Sequence, residues 1–285
     1  MTETEFLSAL KTLPLHPGAR GLKDDCALIE IGGETLIFNH DVMAEDVHFR
    51  PEASLADVAW KLVALNLSDL AAKGAEPIGI LLGHSLGGND MQFIKGLREV
   101  MEAYDVKLMG GDTVAGTGAS TFSVTAIGRA TCNPVPSRIG AAPGDTVYLT
   151  GSVGRAMLGF EGERDHLQAF NRPRPLLAEG RALAPHVSAM MDVSDGLLLD
   201  AFRMAEASGV TFSIRQEDVP VADPARADEC MRWGDDYELL FTLPTDVPCP
   251  VAASRIGTVV ERGAAPLMLS GEPILGRDGL GYLHG

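Results

Sequence analysis

The stretch that decides the fold is Leu55-Ala56-Asp57-Val58-Ala59-Trp60-Lys61-Leu62-Val63-Ala64-Leu65-Asn66-Leu67-Ser68-Asp69-Leu70-Ala71-Ala72-Lys73-Gly74. On a helix of about 3.6 residues per turn, Leu55, Val58, Ala59, Leu62 and Leu65 form one apolar stripe, and Asn66 and Asp69 fall on it near its C-terminal end. An acid therefore takes a core position, at the helix end where the macrodipole disfavours a carboxylate. Something positive has to compensate it. Asp69 either pairs with Lys73 one turn on, caps a neighbouring loop, or shares a bound cation with other acids. Gly74 stands where such a helix stops.

Outward from this helix, strands and helices alternate. Upstream, residues from about Thr4 to Lys11 suit a short helix stopped by Pro14 and Pro17, and Cys26–Ile31 and Thr35–Asn39 read as strands around a Gly32-Gly33 turn. Downstream, the pattern predicts a strand over Pro77–Leu82 and a helix opened by Asn89 or Asp90. A brief strand over Lys107–Met109 then leads into Gly110-Gly111-Asp112-Thr113, and a further strand covers Ser120–Ala130. Cys132-Asn133-Pro134-Val135-Pro136 is the candidate domain boundary, proline-rich and without periodicity. Beyond it, Thr146–Thr150 and Ser188–Met191 read as strands, and Leu198, Ala201, Phe202 and Ala205 as a helix stripe closed by Gly209. The reading is an α/β domain over residues 1–135 and an α+β domain over 136–285.

The 285 residues carry 39 acids against 23 Lys and Arg, a formal charge of −16, which argues against nucleic acid or an anionic membrane surface as partner. Cys26, Cys132, Cys230 and Cys249 show no metal or disulfide spacing, and neither a signal segment nor a membrane-spanning run is apparent, so a cytoplasmic location is expected. Asp25, Asp41, Asp69, Asp112, Asp192 and Asp195 all stand at predicted element ends or glycine-rich turns. Singly each reads as a cap or turn residue; together they suit Mg²⁺, which takes hard oxygen ligands and shares its shell with phosphates. Neither G-x-x-x-x-G-K-[ST] nor the protein-kinase signature occurs, so nucleotide chemistry here would need another scaffold.

Such a scaffold is suggested by an ordered series of motifs. Lys23-Asp24-Asp25, Asp41 with Val47-His48-Phe49, Asn66-Leu67-Ser68-Asp69, Gly110-Gly111-Asp112-Thr113, Ser137-Arg138-Ile139-Gly140, Pro143-Gly144-Asp145, Asp192-Val193-Ser194-Asp195-Gly196 and Asp235-Asp236-Tyr237-Glu238 together resemble the thiamine-monophosphate kinase family, within the aminoimidazole-ribonucleotide-synthetase superfamily. The resemblance implies that superfamily's two-domain fold, pairing of N-terminal domains into a homodimer, and direct transfer of the ATP γ-phosphoryl group to thiamine monophosphate, with Mg²⁺ and without a covalent phosphoenzyme or a catalytic side chain. By motif position it implies Asp25, Asp41, Asp69, Asp112, Asp192 and Asp195 as metal ligands, and Gly111, Arg138 and Ser194 at ATP. His48, Asp235 and Tyr282 would then face the acceptor. Two other outcomes stay open: a relative acting on a different small acceptor, and a nucleotide-binding relative without turnover. The chain departs from the family at Asn39-His40, where hydroxyl ligands are usual, and at Asp235, one methylene shorter than the usual acid.

One motif points elsewhere. Gly83-His84-Ser85-Leu86-Gly87 fits the G-x-S-x-G nucleophile elbow, with His166, His186 and His284 as possible partners. The helix that should start after the serine is broken by Gly87-Gly88, which makes Ser85 a loop residue in the preferred reading.

Overall fold

The computed structural model describes residues 3–116 and 118–283, apart from the side chains of Glu3 and Thr4; His284 lies outside the described residues. The first half holds α1 (Glu3–Leu10), β1 (Ala27–Ile31), β2 (Glu34–Ala44), α2 (Leu55–Ala72), β3 (Ala75–Leu86), α3 (Asp90–Tyr104), β4 (Lys107–Ala115) and β5 (Thr121–Ala130). The second holds β6 (Thr146–Leu149), α4 (Arg155–Phe160), α5 (Leu167–Asn171), α6 (Leu177–Leu183), β7 (Ala189–Asp192), α7 (Leu197–Ser208) and β8 (Thr211–Ile214). It continues with α8 (Ala227–Trp233), β9 (Leu239–Leu243), β10 (Ser254–Val260), β11 (Leu267–Leu269) and β12 (Glu272–Ile274).

Two sheets result, ordered β1-β2-β5-β3-β4 and β12-β11-β8-β10-β6-β9-β7. The first is antiparallel except for β3 with β4. One apolar core runs from Ile37, Val124 and Ala126 of the first sheet, through Leu62, Leu67 and Leu70 of α2, to Met190, Leu239 and Phe241 of the second. A second core packs α7 through Leu198, Ala201 and Phe202 onto the opposite face of the second sheet. α2 is thus buried nearly all round, because it serves both sheets at once. It ends as its sequence suggests: Gly74 takes φ +60°, and the N–H groups of Lys73 and Gly74 satisfy Leu70 and Ala71 carbonyls. At Gly180 on α6 a Cβ would stand 2.0 Å from the Ala71 carbonyl oxygen, so only glycine allows α6 to close on this end of α2.

Three elements run further than their sequence patterns indicate. β2 continues to Ala44, so Asp41 sits within a strand; β4 takes in Gly110-Gly111-Asp112-Thr113; and β3 runs to Leu86 through the G-x-S-x-G segment. In each case cross-strand hydrogen bonds outweigh weak local propensity. Ser85 is a strand residue whose hydroxyl donates to the Thr121 carbonyl at 2.9 Å and accepts from its N–H at 2.8 Å. There is no strand-to-helix elbow, and the hydrolase reading falls.

Candidate active site

The C-terminal end of α2 delivers Asp69 beside Asp25, which precedes β1, and Asp192, which ends β7. One carboxylate oxygen from each of the three lies within 4.8 Å of the other two. Ser68 Oγ donates to Asp192 at 2.6 Å and so ties the second sheet to α2. Asp41 joins from β2: Asn39 Nδ2 reaches Asp41 at 3.1 Å, Asp69 at 2.8 Å and Asn66 at 3.1 Å. Successive strand residues face opposite ways, so His40 turns from the cluster and pairs with Thr125 at 2.8 Å, leaving Asn39 alone on the carboxylate side.

Lys73 does not pair with Asp69. Its buried ammonium lies 2.5 Å from both Asp24 and Asp25. Arg138, in the segment joining the two sheets, reaches the other oxygen of Asp25 through Nε at 2.7 Å and also through Nη2. Burial pushes the Asp25 carboxyl up, but Arg138 and Lys73 more than offset it and the group is held below the usual carboxylate range. Asp69 and Asp192 have only neutral donors. Burial, then Asp192, Asp41 and Asp25, push Asp69 well up; burial, then Asp25, push Asp192 up to about 7. Burial raises Asp41 too. Crowded carboxylates raised in this way hold protons or a cation. Their hard oxygens, together with the buried Asn39 Oδ1 that lacks a partner, fit Mg²⁺.

These residues form one end of a cleft of about 730 Å³ between the sheets. Of the residues singled out in the sequence, Asp25, Asp41, Asp69, Asp192, Asp195, Arg138, Ser194, His48, Asp235 and Tyr282 line it. Asp195 is ion-paired to Arg203, and the N–H groups of Ser194 and Asp195 donate to buried Asp200 at 3.1 and 3.0 Å. Gly111 and Asp112 are not among the lining residues. Asp41 registers with Val124, Val124 with Leu82 and Leu82 with Gly111, which places Gly111 three strands away, roughly 14 Å at ordinary strand spacing. Both are exposed on the edge strand β4.

The other end is aromatic. Lys61, Leu65 and Asp69 recur at i, i+4 and i+8 on α2 and all line the cleft, so Lys61 stands roughly 12 Å from Asp69 along the helix. Its ammonium is 2.7 Å from Asp235 and 3.9 Å above the Phe170 ring. Phe160 packs against Phe170 at 5.3 Å and Trp233 at 5.1 Å, with the Arg50 guanidinium 4.4 Å over its face. Tyr237 donates to Asp235 at 2.9 Å, and both residues take left-handed backbone, with φ of +52° and +58°. None of Lys61, Phe160, Phe170 or Trp233 is marked by the sequence motifs; only the i+4 spacing of Lys61 to Leu65 and Asp69 hints at one of them.

The family model for the AIR synthase related protein N-terminal domain matches residues 23–130, and that for its C-terminal domain matches 142–268. A thiamine-monophosphate kinase of Caulobacter vibrioides is 33% identical over 94% of the chain and 86% of that protein, and one of Salmonella typhimurium is 34% identical over 79% and 76%. Among solved structures, AaThiL complexed with AMPPCP and TMP has a TM-score of 0.88 at 25% identity over 100% of this chain and 97% of its own. The thiamine-monophosphate kinase of Stenotrophomonas maltophilia has a TM-score of 0.78 at 30% identity over 95% and 96%. A hydrogenase maturation protein HypE in complex with ATP, at 21% identity and a TM-score of 0.68, shares the fold.

Proposed function

We infer, for a chain that belongs to the AIR synthase related family and within it to the thiamine-monophosphate kinases, that it transfers the γ-phosphoryl group of ATP to the phosphate of thiamine monophosphate, giving thiamine diphosphate and ADP. The observation that carries the reading is the cleft itself, with a buried carboxylate cluster at one end and aromatic rings roughly 12 Å along α2 at the other. One end suits phosphates bridged by cations; the other suits a flat heterocycle.

Asp25, Asp69 and Asp192 would hold Mg²⁺, with Asp41, Asp195 and Asn39 around them. When bound, Mg²⁺ supplies neutralisation between two anionic reactants, which otherwise repel. Arg138 would grip phosphate oxygens with its planar fork, and Ser194, also on the cleft wall, would contact the nucleotide with it. Asp235, held by Lys61 and Tyr237, and His48, whose Nδ1 accepts from the Ala44 N–H at 3.1 Å, orient the ring end of the acceptor with Tyr282. The acceptor phosphate is itself the nucleophile, so no side chain need form a covalent intermediate.

A homodimer through the first sheet accompanies this reading. Strand β4 is exposed along its whole length and carries Leu108, Met109 and Val114, with Leu81 exposed on the adjacent strand β3 and Val42 further across the sheet on β2. A place for Asp112 and Gly111 at a nucleotide then calls for the second copy. Residues 1–135 form the nucleotide-binding and pairing domain in this scheme, and 136–285 the second domain. No helix among the described residues is long and apolar enough to cross a membrane, and a cytoplasmic site of action is proposed. The deciding experiment is chromatography of purified protein with ATP, Mg²⁺ and thiamine monophosphate. Thiamine diphosphate and ADP should appear in equal amounts. ADP-free mixtures with Mg²⁺-dependent ATP binding intact would overturn the acceptor assignment.

A further inference from the structure

The carboxylates at the metal end of the cleft do not share their cations evenly. Asp25 takes two, Lys73 on Oδ2 and Arg138 on Oδ1, whereas Asp69 and Asp192 accept only from Asn39 and Ser68. The two cations of Asp25 also differ in freedom. The Lys73 side chain is 0% exposed, follows directly on α2, and is bonded to Asp24 as well. Arg138 lies in a connecting segment outside any helix or strand, its side chain is 22% exposed, and it lines the cleft. One partner is fixed; the other can leave.

We propose that Arg138 is an exchangeable counter-ion: without nucleotide it covers Oδ1 of Asp25 and opposes a divalent cation there, and on nucleotide binding its guanidinium passes to phosphate oxygens and uncovers that carboxylate. The proposal rests on the phosphoryl-transfer reading above. Its chemistry is that of the guanidinium fork, which fits a carboxylate and a phosphate equally well, so exchange costs little geometry. Lys73 is the positioning residue that keeps Asp25 in place while Arg138 changes partner. The consequence is positive coupling, since whatever draws Arg138 away strengthens the cation site, and by linkage the cation favours the nucleotide.

The test titrates the full chain with Mn²⁺ alone, reading free Mn²⁺ by paramagnetic resonance, and separately with AMPPCP alone by calorimetry. Wild type is compared with Arg138→Met and Arg138→Lys. Arg138→Met should bind Mn²⁺ about tenfold tighter than wild type and AMPPCP about tenfold more weakly, opposite shifts within the usual range of coupling. Arg138→Lys keeps the charge without the fork, and its Mn²⁺ affinity should lie between the two. A passive phosphate clamp would weaken AMPPCP and leave Mn²⁺ unmoved, and that result, or weaker Mn²⁺ binding, overturns the proposal. If Arg138→Met does not fold, Mn²⁺ affinity in Arg138→Lys equal to or below wild type overturns it equally. Should wild type bind no Mn²⁺ even with AMPPCP present, the phosphoryl-transfer reading fails instead.

Discussion

The two ends of the cleft keep their charges in opposite ways. At the aromatic end the cations have partners: Lys61 lies on Asp235 and on the face of Phe170, and Arg50 lies on the face of Phe160. At the carboxylate end Asp69, Asp41 and Asp192 crowd together with neutral donors only, and burial together with mutual repulsion raises their affinity for protons. The difference teaches where chemistry is expected. A self-sufficient pocket positions a ligand, while an electrostatically incomplete one waits for a cation to complete it.

The contrast breaks most sharply at Asp69. Asp69→Asn removes an acid that the metal-free fold keeps buried only at the cost of taking up a proton or bearing repulsion, so the variant should melt about 2–4 °C above wild type without Mg²⁺. It should nevertheless lose thiamine diphosphate formation by about 10²-fold or more, as loss of a metal ligand does. Calorimetry paired with the chromatographic assay checks both, and a variant both less stable and fully active would end the contrast. At the other end, Phe170→Ala should raise KM for thiamine monophosphate about tenfold while leaving AMPPCP affinity unchanged, since the lost ring surface lies away from the carboxylates. Weakened AMPPCP binding would show that the two ends are not separate.

The two ends also differ in their response to pH. Burial, then Asp25, bring Asp192 up to about 7, and burial brings Asp236, whose carboxylate accepts from the Gly154 and Ala156 N–H groups, up to about 7 as well. Both hold a proton in the folded chain at a pH where the unfolded chain has lost it, so stability falls as pH rises from about 4 to about 7. Metal-free protein should therefore melt lower at pH 7.5 than at pH 5.5. Mg²⁺ should recover the part due to Asp192, and Asp236→Asn the part due to Asp236. A melting temperature that rises over this interval without metal would contradict both assignments.

The carboxylate end was largely legible in the sequence, and the aromatic end was not. Asp69 on an apolar stripe is a conflict between residue type and helix position, visible within one turn, and Asp25, Asp41 and Asp192 stand in short motifs. Phe160, Phe170 and Trp233 sit in the short helices α4, α5 and α8, outside every motif, and only tertiary packing brings them together at the cleft. Lys73 shows the limit of local spacing: four residues from Asp69, it bonds instead to Asp24 and Asp25, 49 and 48 residues away. The strand extents at β2 and β4 were hidden for the same reason, since their partners lie far off in sequence.

The bond between Ser68 and Asp192 joins residues 124 positions apart. A ribosome adding about 5–20 residues per second makes the first of them roughly 6–25 s before the second. During that interval the nascent first half already owns Asp24, Asp25 and their quenching Lys73, but not the acid that closes the cluster. The order of synthesis thus delays the assembly of the full ligand set until the second half has been made, so a truncated or stalled product carries no finished site with which to sequester cations or nucleotide from the cell.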